Sequence, residues 1–232
     1  MESHRLSFKE WGARAVLALV FVALGLLLYV VFSPLRPMLD KTVDYLGRIG
    51  LTAGLLVAVW LAGRNERLKP YRPLLLGLLI MAVAISLDWV FAIYLLEHVG
   101  LNSSTASGMA LLKLNEFFIV ASTVVALTLL SGGTLGSIYI QKGNLKLGLL
   151  VGGIAFCLSA AGSPWMAGFL FNGQNLTADR IVAWLPWVLI FALANAAQEE
   201  LLFRGLFLRK LQPFFGKFLS NALIVFVFTL VH

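Results

Sequence analysis

The chain has 232 residues, of which 60% are hydrophobic and only 12% charged. Soluble domains sit near 45–50% apolar and about 25% charged, so this composition excludes an ordinary soluble domain and marks an integral membrane protein. The net charge of +7 does not point to nucleic acid, because Lys and Arg collect in the cytoplasmic loops of membrane proteins.

A bilayer core needs roughly 20 apolar residues in helical form. Seven segments approach or reach that length: 15–32, 49–63, 74–96, 109–131, 147–171, 181–198 and 218–232. The first is too long for a secretory signal and is followed by Ser33-Pro34-Leu35-Arg36, so it reads as a retained anchor. The fifth contains Gly162-Ser163-Pro164, where a break is expected because proline interrupts the helical ladder. None of the seven alternates with period two, which argues against an outer-membrane barrel. The fold class is all-α, a polytopic transmembrane helix bundle. Residues 1–131 form a first set of helices that carries no diagnostic motif, and 132–232 form the part that does.

Orientation follows from the basic residues. The N-terminal tail, the 64–72 connection, the 132–146 connection and the 199–217 connection hold 13 of the 18 Lys and Arg. This asymmetry places the N-terminus in the cytoplasm, within a multi-pass cell-membrane protein. It treats 199–217 as a cytoplasmic loop.

Ionisable residues inside the spans cost several kcal/mol unless they find partners. Asp88 lies in "ISLDWVF" and is expected to face the bundle interior. Lys113 and Glu116 in "LLKLNEFF" are three apart, so an intrahelical ion pair is expected, one that marks a helix end near the interface. Cys157 is the single cysteine, which rules out an intramolecular disulfide and a cysteine-based zinc site. Three histidines, His4, His98 and His232, would have to converge from a tail, a loop and the last helix to bind a metal. No cofactor is expected; were a metal bound, Glu199 and His232 would be its ligands.

The chemistry concentrates in "AQEELLFRG", Ala197 to Gly205, after seventeen residues without charge. Glu200 and Arg204 are four apart, so they share a helical face, and acid before base is the favourable order. Glu199 is rotated about 100° from Glu200. With Glu200 committed to Arg204, Glu199 is the freer carboxylate. A poorly solvated carboxylate beside another negative charge holds a proton readily, and so can take one from water near neutral pH. Glu199 is therefore the candidate general base. Carboxylates at a helix C-terminus would also oppose the helix dipole, if the helix stops there, so a plain interfacial cap would favour Lys or Arg instead. The last segment, "NALIVFVFTLVH", places Phe228 and His232 four apart, again on one face.

These two elements together resemble the CPBP family, the intramembrane CAAX-type prenyl proteases and the related bacteriocin-processing or immunity proteins. The family's Glu-Glu-x-x-x-Arg is matched by Glu199, Glu200 and Arg204, and its Phe-x-x-x-His by Phe228 and His232. The resemblance covers about residues 147–232. It implies a helix bundle with a water-filled cavity open to the cytoplasm. It also implies a protease, with or without a metal, in which Glu199 activates water against a peptide carbonyl, His232 assists, and Glu200 and Arg204 orient the site. The partners implied are membrane lipids and a peptide or protein substrate, including a prenylated one, and no nucleic acid. The family's third motif, His-x-x-x-Asn or similar, lies on a later helix, and no histidine or asparagine lies beyond His232 in this sequence. That departure carries the expectation of a truncated product. It also supplies the alternative reading, a non-catalytic membrane binding or immunity protein of the same descent.

Presenilin-type and rhomboid signatures are missing, and there is no His-Glu-x-x-His.

Overall fold

A computed structural model of the protein describes residues 8–32, 39–171 and 177–231. Among them there are seven α-helices and no strand: α1 (Phe8–Leu26), α2 (Lys41–Arg64), α3 (Arg72–His98), α4 (Ala106–Leu130), α5 (Leu145–Phe171), α6 (Ala178–Glu199) and α7 (Arg209–Val231). The protein is an all-α, polytopic helix bundle. Each helix overlaps one apolar segment of the sequence, but most begin several residues earlier. Caps mark four of those starts. Asp40 accepts from Thr42 N at 2.9 Å, Thr105 from Gly108 N at 3.1 Å, Asn144 from Leu147 N at 3.1 Å and Thr177 from Arg180 N at 3.4 Å. Each satisfies one of the amide donors that a helix start leaves without an intrahelical acceptor.

Among the described residues, five helical stretches are long and apolar enough to cross a membrane: Trp11–Val31, Lys41–Arg64, Lys69–Ala92, Ala106–Leu130 and Ala178–Leu230. The last is twice the length of a span, because helix continues where the sequence pattern places a loop. α6 runs directly into a π-helical stretch, Glu200–Leu208, and then into α7. Residues 199–217 are therefore not a loop. Leu201, Leu202, Phe203, Gly205, Leu206, Phe207 and Leu208 are buried, while Arg204 and Arg209 point outward. Arg204 and Arg209, two of the basic residues that mark a loop by charge, here sit on the exposed surface of an apolar helix. The reversal comes later, at Gly216, whose φ of 70° and ψ of 176° interrupt α7. Few residues other than glycine adopt a positive φ without strain, and the turn is made there.

The expected break at Gly162-Ser163-Pro164 is not found, and α5 is continuous from Leu145 to Phe171. Every described side chain on it is exposed.

α3 is the most enclosed helix, with Leu74, Leu78, Ile80, Met81, Ala82, Ala84 and Ile85 all buried. It packs against α2 and α4, and α4 packs in turn against α6. α7 lies against α1 and the π-helical stretch. A short 3-10 helix, Leu135–Ile138, docks on that stretch at Gly205, where a Cβ would meet the Ile138 carbonyl oxygen at 3.1 Å. Arg209 fastens the same loop by donating to the Gly136 carbonyl and by lying over the Tyr139 ring at 4.4 Å.

One buried ion pair ties three elements together. Arg48 donates to Asp44 at 2.7 Å and to the Phe32 carbonyl at 2.6 Å, and its guanidinium lies 4.9 Å from the Trp89 ring centroid. The pair's side chains are only 5% and 10% exposed. Breaking a buried pair by removing one partner leaves an uncompensated charge. Arg48→Met is therefore expected to lower stability by about 3–5 kcal/mol, read as a lower apparent Tm in detergent. Adding Asp44→Asn to the same chain is expected to recover much of the loss, and a parent-like melt for Arg48→Met would contradict the assignment.

Candidate active site

The last two turns of α6 read Ala194, Asn195, Ala196, Ala197, Gln198, Glu199. Ala194 and Gln198, one turn apart, are buried, whereas Asn195 and Glu199, also one turn apart, are half-buried. Glu200 is exposed. The two adjacent carboxylates thus point in different directions, as the rotation of 100° per residue requires.

Glu199 Oε1 accepts a hydrogen bond from Asn195 Nδ2 at 2.8 Å. It is therefore held in place, which corrects the sequence reading of it as the freer carboxylate of the two. Glu200 accepts from Arg204 Nη1 at 3.0 Å, with side chains 61% and 58% exposed. The helix-dipole argument against a plain cap does not apply here, because the helix continues past both glutamates.

Gln198 turns the opposite way, toward α4. Its Nε2 donates to Glu116 Oε1 at 2.7 Å, and the other oxygen of Glu116 accepts from Lys113 Nζ at 2.9 Å. The expected Lys113–Glu116 pair is present, but not where the sequence reading put it. It lies about two turns inside α4, with side chains 12% and 17% exposed, packed against α6 and away from the helix end. Asp88 is buried, as expected, and lies close enough to Glu116, Lys113 and Arg48 to feel their charge.

The aromatic surroundings come from three elements. Tyr29, in the π-helical turn Leu27–Val31 that ends α1, stacks on Phe203 with centroids 4.7 Å apart. Phe203 meets Phe228 of α7 edge-on at 5.2 Å. The Tyr29 hydroxyl is buried within Coulombic reach of Glu116 and Glu199. The two sequence motifs are therefore in contact through Phe203 and Phe228. His232 lies outside the described residues, as does His4. His98 ends α3 and stacks on Tyr94 at 4.4 Å. Among the described residues no group of three His, Cys, Asp or Glu is placed to hold a metal ion.

An apolar groove of about 190 Å³ lies between α1 and α7, lined by Trp11, Arg14, Ala15, Ala18, Phe215, Leu219 and Leu223. It does not include Glu199. No carboxylate is among the residues that line it.

Residues 181–232 match the family described as type II CAAX prenyl endopeptidase Rce1-like. The matched segment is 52 of the 232 residues. It contains α6 from Ile181 onward, the π-helical stretch and α7, together with both motifs, and it supports the resemblance to the CAAX-type intramembrane proteases. No curated protein and no solved structure matches the chain.

Sequence reading alone missed Asn195, Gln198 and Tyr29 as neighbours of the Rce1-like motif. Asn195 carries a usable signal, because it precedes Glu199 by one helical turn. Tyr29 carries none, being one aromatic residue in an apolar run.

The exposed Glu200–Arg204 pair has little to contribute to stability, since such pairs are worth about 0–1 kcal/mol. Arg204→Gln is accordingly expected to leave the apparent Tm close to that of the parent, within the shift that about 1 kcal/mol produces. A much larger loss of stability would show that the pair is structural.

Proposed function

We propose that this chain is an intramembrane endopeptidase in which Glu199 activates water for attack on a peptide carbonyl. The observation that carries the reading is the divergence of the two glutamates inside the Rce1-like segment. Glu199 is half-buried and oriented by Asn195, while Glu200 faces outward on Arg204. A base must be held in place and partly withdrawn from bulk water, and Glu199 is the carboxylate of the pair that meets both conditions.

In this reading a water donates a proton to Glu199 as its oxygen bonds to the carbonyl carbon. The carbonyl oxygen then carries the negative charge of a tetrahedral intermediate. The intermediate collapses by breaking the C–N bond, and the proton held on Glu199 passes to the leaving amine. His232 assists by holding the water or by stabilising charge. Glu200 and Arg204 orient the outer side of the site. Phe228 supports His232 in sequence, and its contact with Phe203 joins its helix to the glutamate motif. The substrate is a peptide or protein, with a prenylated C-terminus included in the class. The basic residues of the N-terminal tail and of the 64–72 and 132–146 connections support a cytoplasmic N-terminus and a site that opens on the cytoplasmic side of the cell membrane.

The test is cleavage of a peptide or protein substrate by the membrane-embedded protein. Glu199→Gln is expected to reduce turnover by a factor of about 10²–10⁴, the range for loss of a general base. Cys157→Ser, an exposed position on α5, is expected to cleave like the parent. Equal cleavage by Glu199→Gln and the parent would remove the proposed base. A parent that binds substrate but never cleaves it would favour the non-catalytic binding reading.

A further inference from the structure

We infer that Glu116 is a positioning residue: through Gln198 it fixes the rotation of α6 and thereby the direction in which Glu199 points. The inference rests on the reading of Glu199 as the base.

Gln198 directly precedes Glu199, is 6% exposed, and donates across to Glu116 at 2.7 Å. The bond links residues 82 apart in sequence and crosses from α6 to α4. Apart from the buried π-helical residues that follow it, the end of α6 has one other buried side chain to set its rotation. Ala194, one turn before Gln198 on the same face, is buried, while Ala192, Ala196 and Ala197 are exposed. A small side chain beside Gln198 lets the helices approach closely but offers no ridge to lock against a neighbour. Interhelical hydrogen bonds then supply the specificity, and a single buried polar contact can fix the register of a helix pair.

Glu116 is itself held on its other oxygen by Lys113 at 2.9 Å. Its carboxylate is therefore pinned at both ends, and Gln198 docks on a fixed acceptor. Successive residues are about 100° apart around the helix, so one such step of rotation would carry Glu199 to the outward direction now occupied by Glu200. Glu116 needs no contact with substrate to act in this way.

The test uses the full chain in membranes. Gln198→Leu keeps the side chain's bulk and removes the donor. It is expected to lower kcat roughly tenfold to hundredfold, with KM unchanged, as misplacement of a catalytic group does. Gln198→Glu alone sets two carboxylates against each other and is expected to lose at least as much. Combining it with Glu116→Gln reverses donor and acceptor across the same contact, and the carbonyl of the amide so introduced can still accept from Lys113. The reversed pair is expected to recover most of the lost kcat, the coupling that a double-mutant cycle detects. Parent-like kcat in Gln198→Leu, a change confined to KM, or no recovery in the reversed pair would overturn the inference.

A second measurement does not depend on cleavage. In a Cys157→Ser, Glu199→Cys chain, the rate of maleimide labelling at position 199 reports its exposure. Adding Gln198→Leu is expected to change that rate several-fold, and an unchanged rate overturns the inference. If Glu199→Gln keeps full activity, the reading of the base fails while the labelling experiment still decides the clamp.

Discussion

A charge carried into the interior of a membrane protein has to bring its partner with it, and this requirement organises the bundle. Water is not at hand to solvate an isolated ion, so each buried ionisable group either pairs or costs several kcal/mol. Arg48 and Asp44 meet it within one helix and attach the end of α1 through the Phe32 carbonyl. Lys113 and Glu116 meet it within α4 and leave one carboxylate oxygen for Gln198 of α6. The apolar faces bring the helices together, and the polar contacts decide how they are turned.

The π-helical stretch between α6 and α7 follows a related logic. π-helical turns are rare and occur most often as single turns at functional sites. Here the stretch is nine residues long and begins at Glu200, immediately after the proposed base. Its apolar residues are buried while Arg204 stays outside, so the chain keeps its backbone bonds satisfied through a region that a loop would leave open. Gly216 then makes the turn that the charge pattern places earlier.

How much of this was legible in the sequence depends on the range of the interaction. The helices were legible because an apolar run of about 20 residues admits few other structures in lipid. The Glu200–Arg204 pair was legible from its spacing of four within one helical stretch. The Lys113–Glu116 pair was legible for the same reason, but its surroundings were not, because its tie to Gln198 spans two distant segments. Tyr29 entered the site by tertiary packing alone. The stretch 199–217 was misread because Arg204, Arg209, Lys210 and Lys217 carry the signature of a loop, while the buried leucines and phenylalanines among them carry that of a helix. Burial decided the outcome, and charge settled on whichever face remained.

The close approach at Gly205 has a consequence of its own. Backbone meets backbone there, since the Ile138 carbonyl sits where a methyl group would begin. With Arg209 gripping the same short turn, the segment ahead of α5 and the segment behind Glu200 share one seam. A displacement on either side is transmitted to the other without a side chain to absorb it, so this seam sets how finely the two parts of the bundle must agree in position.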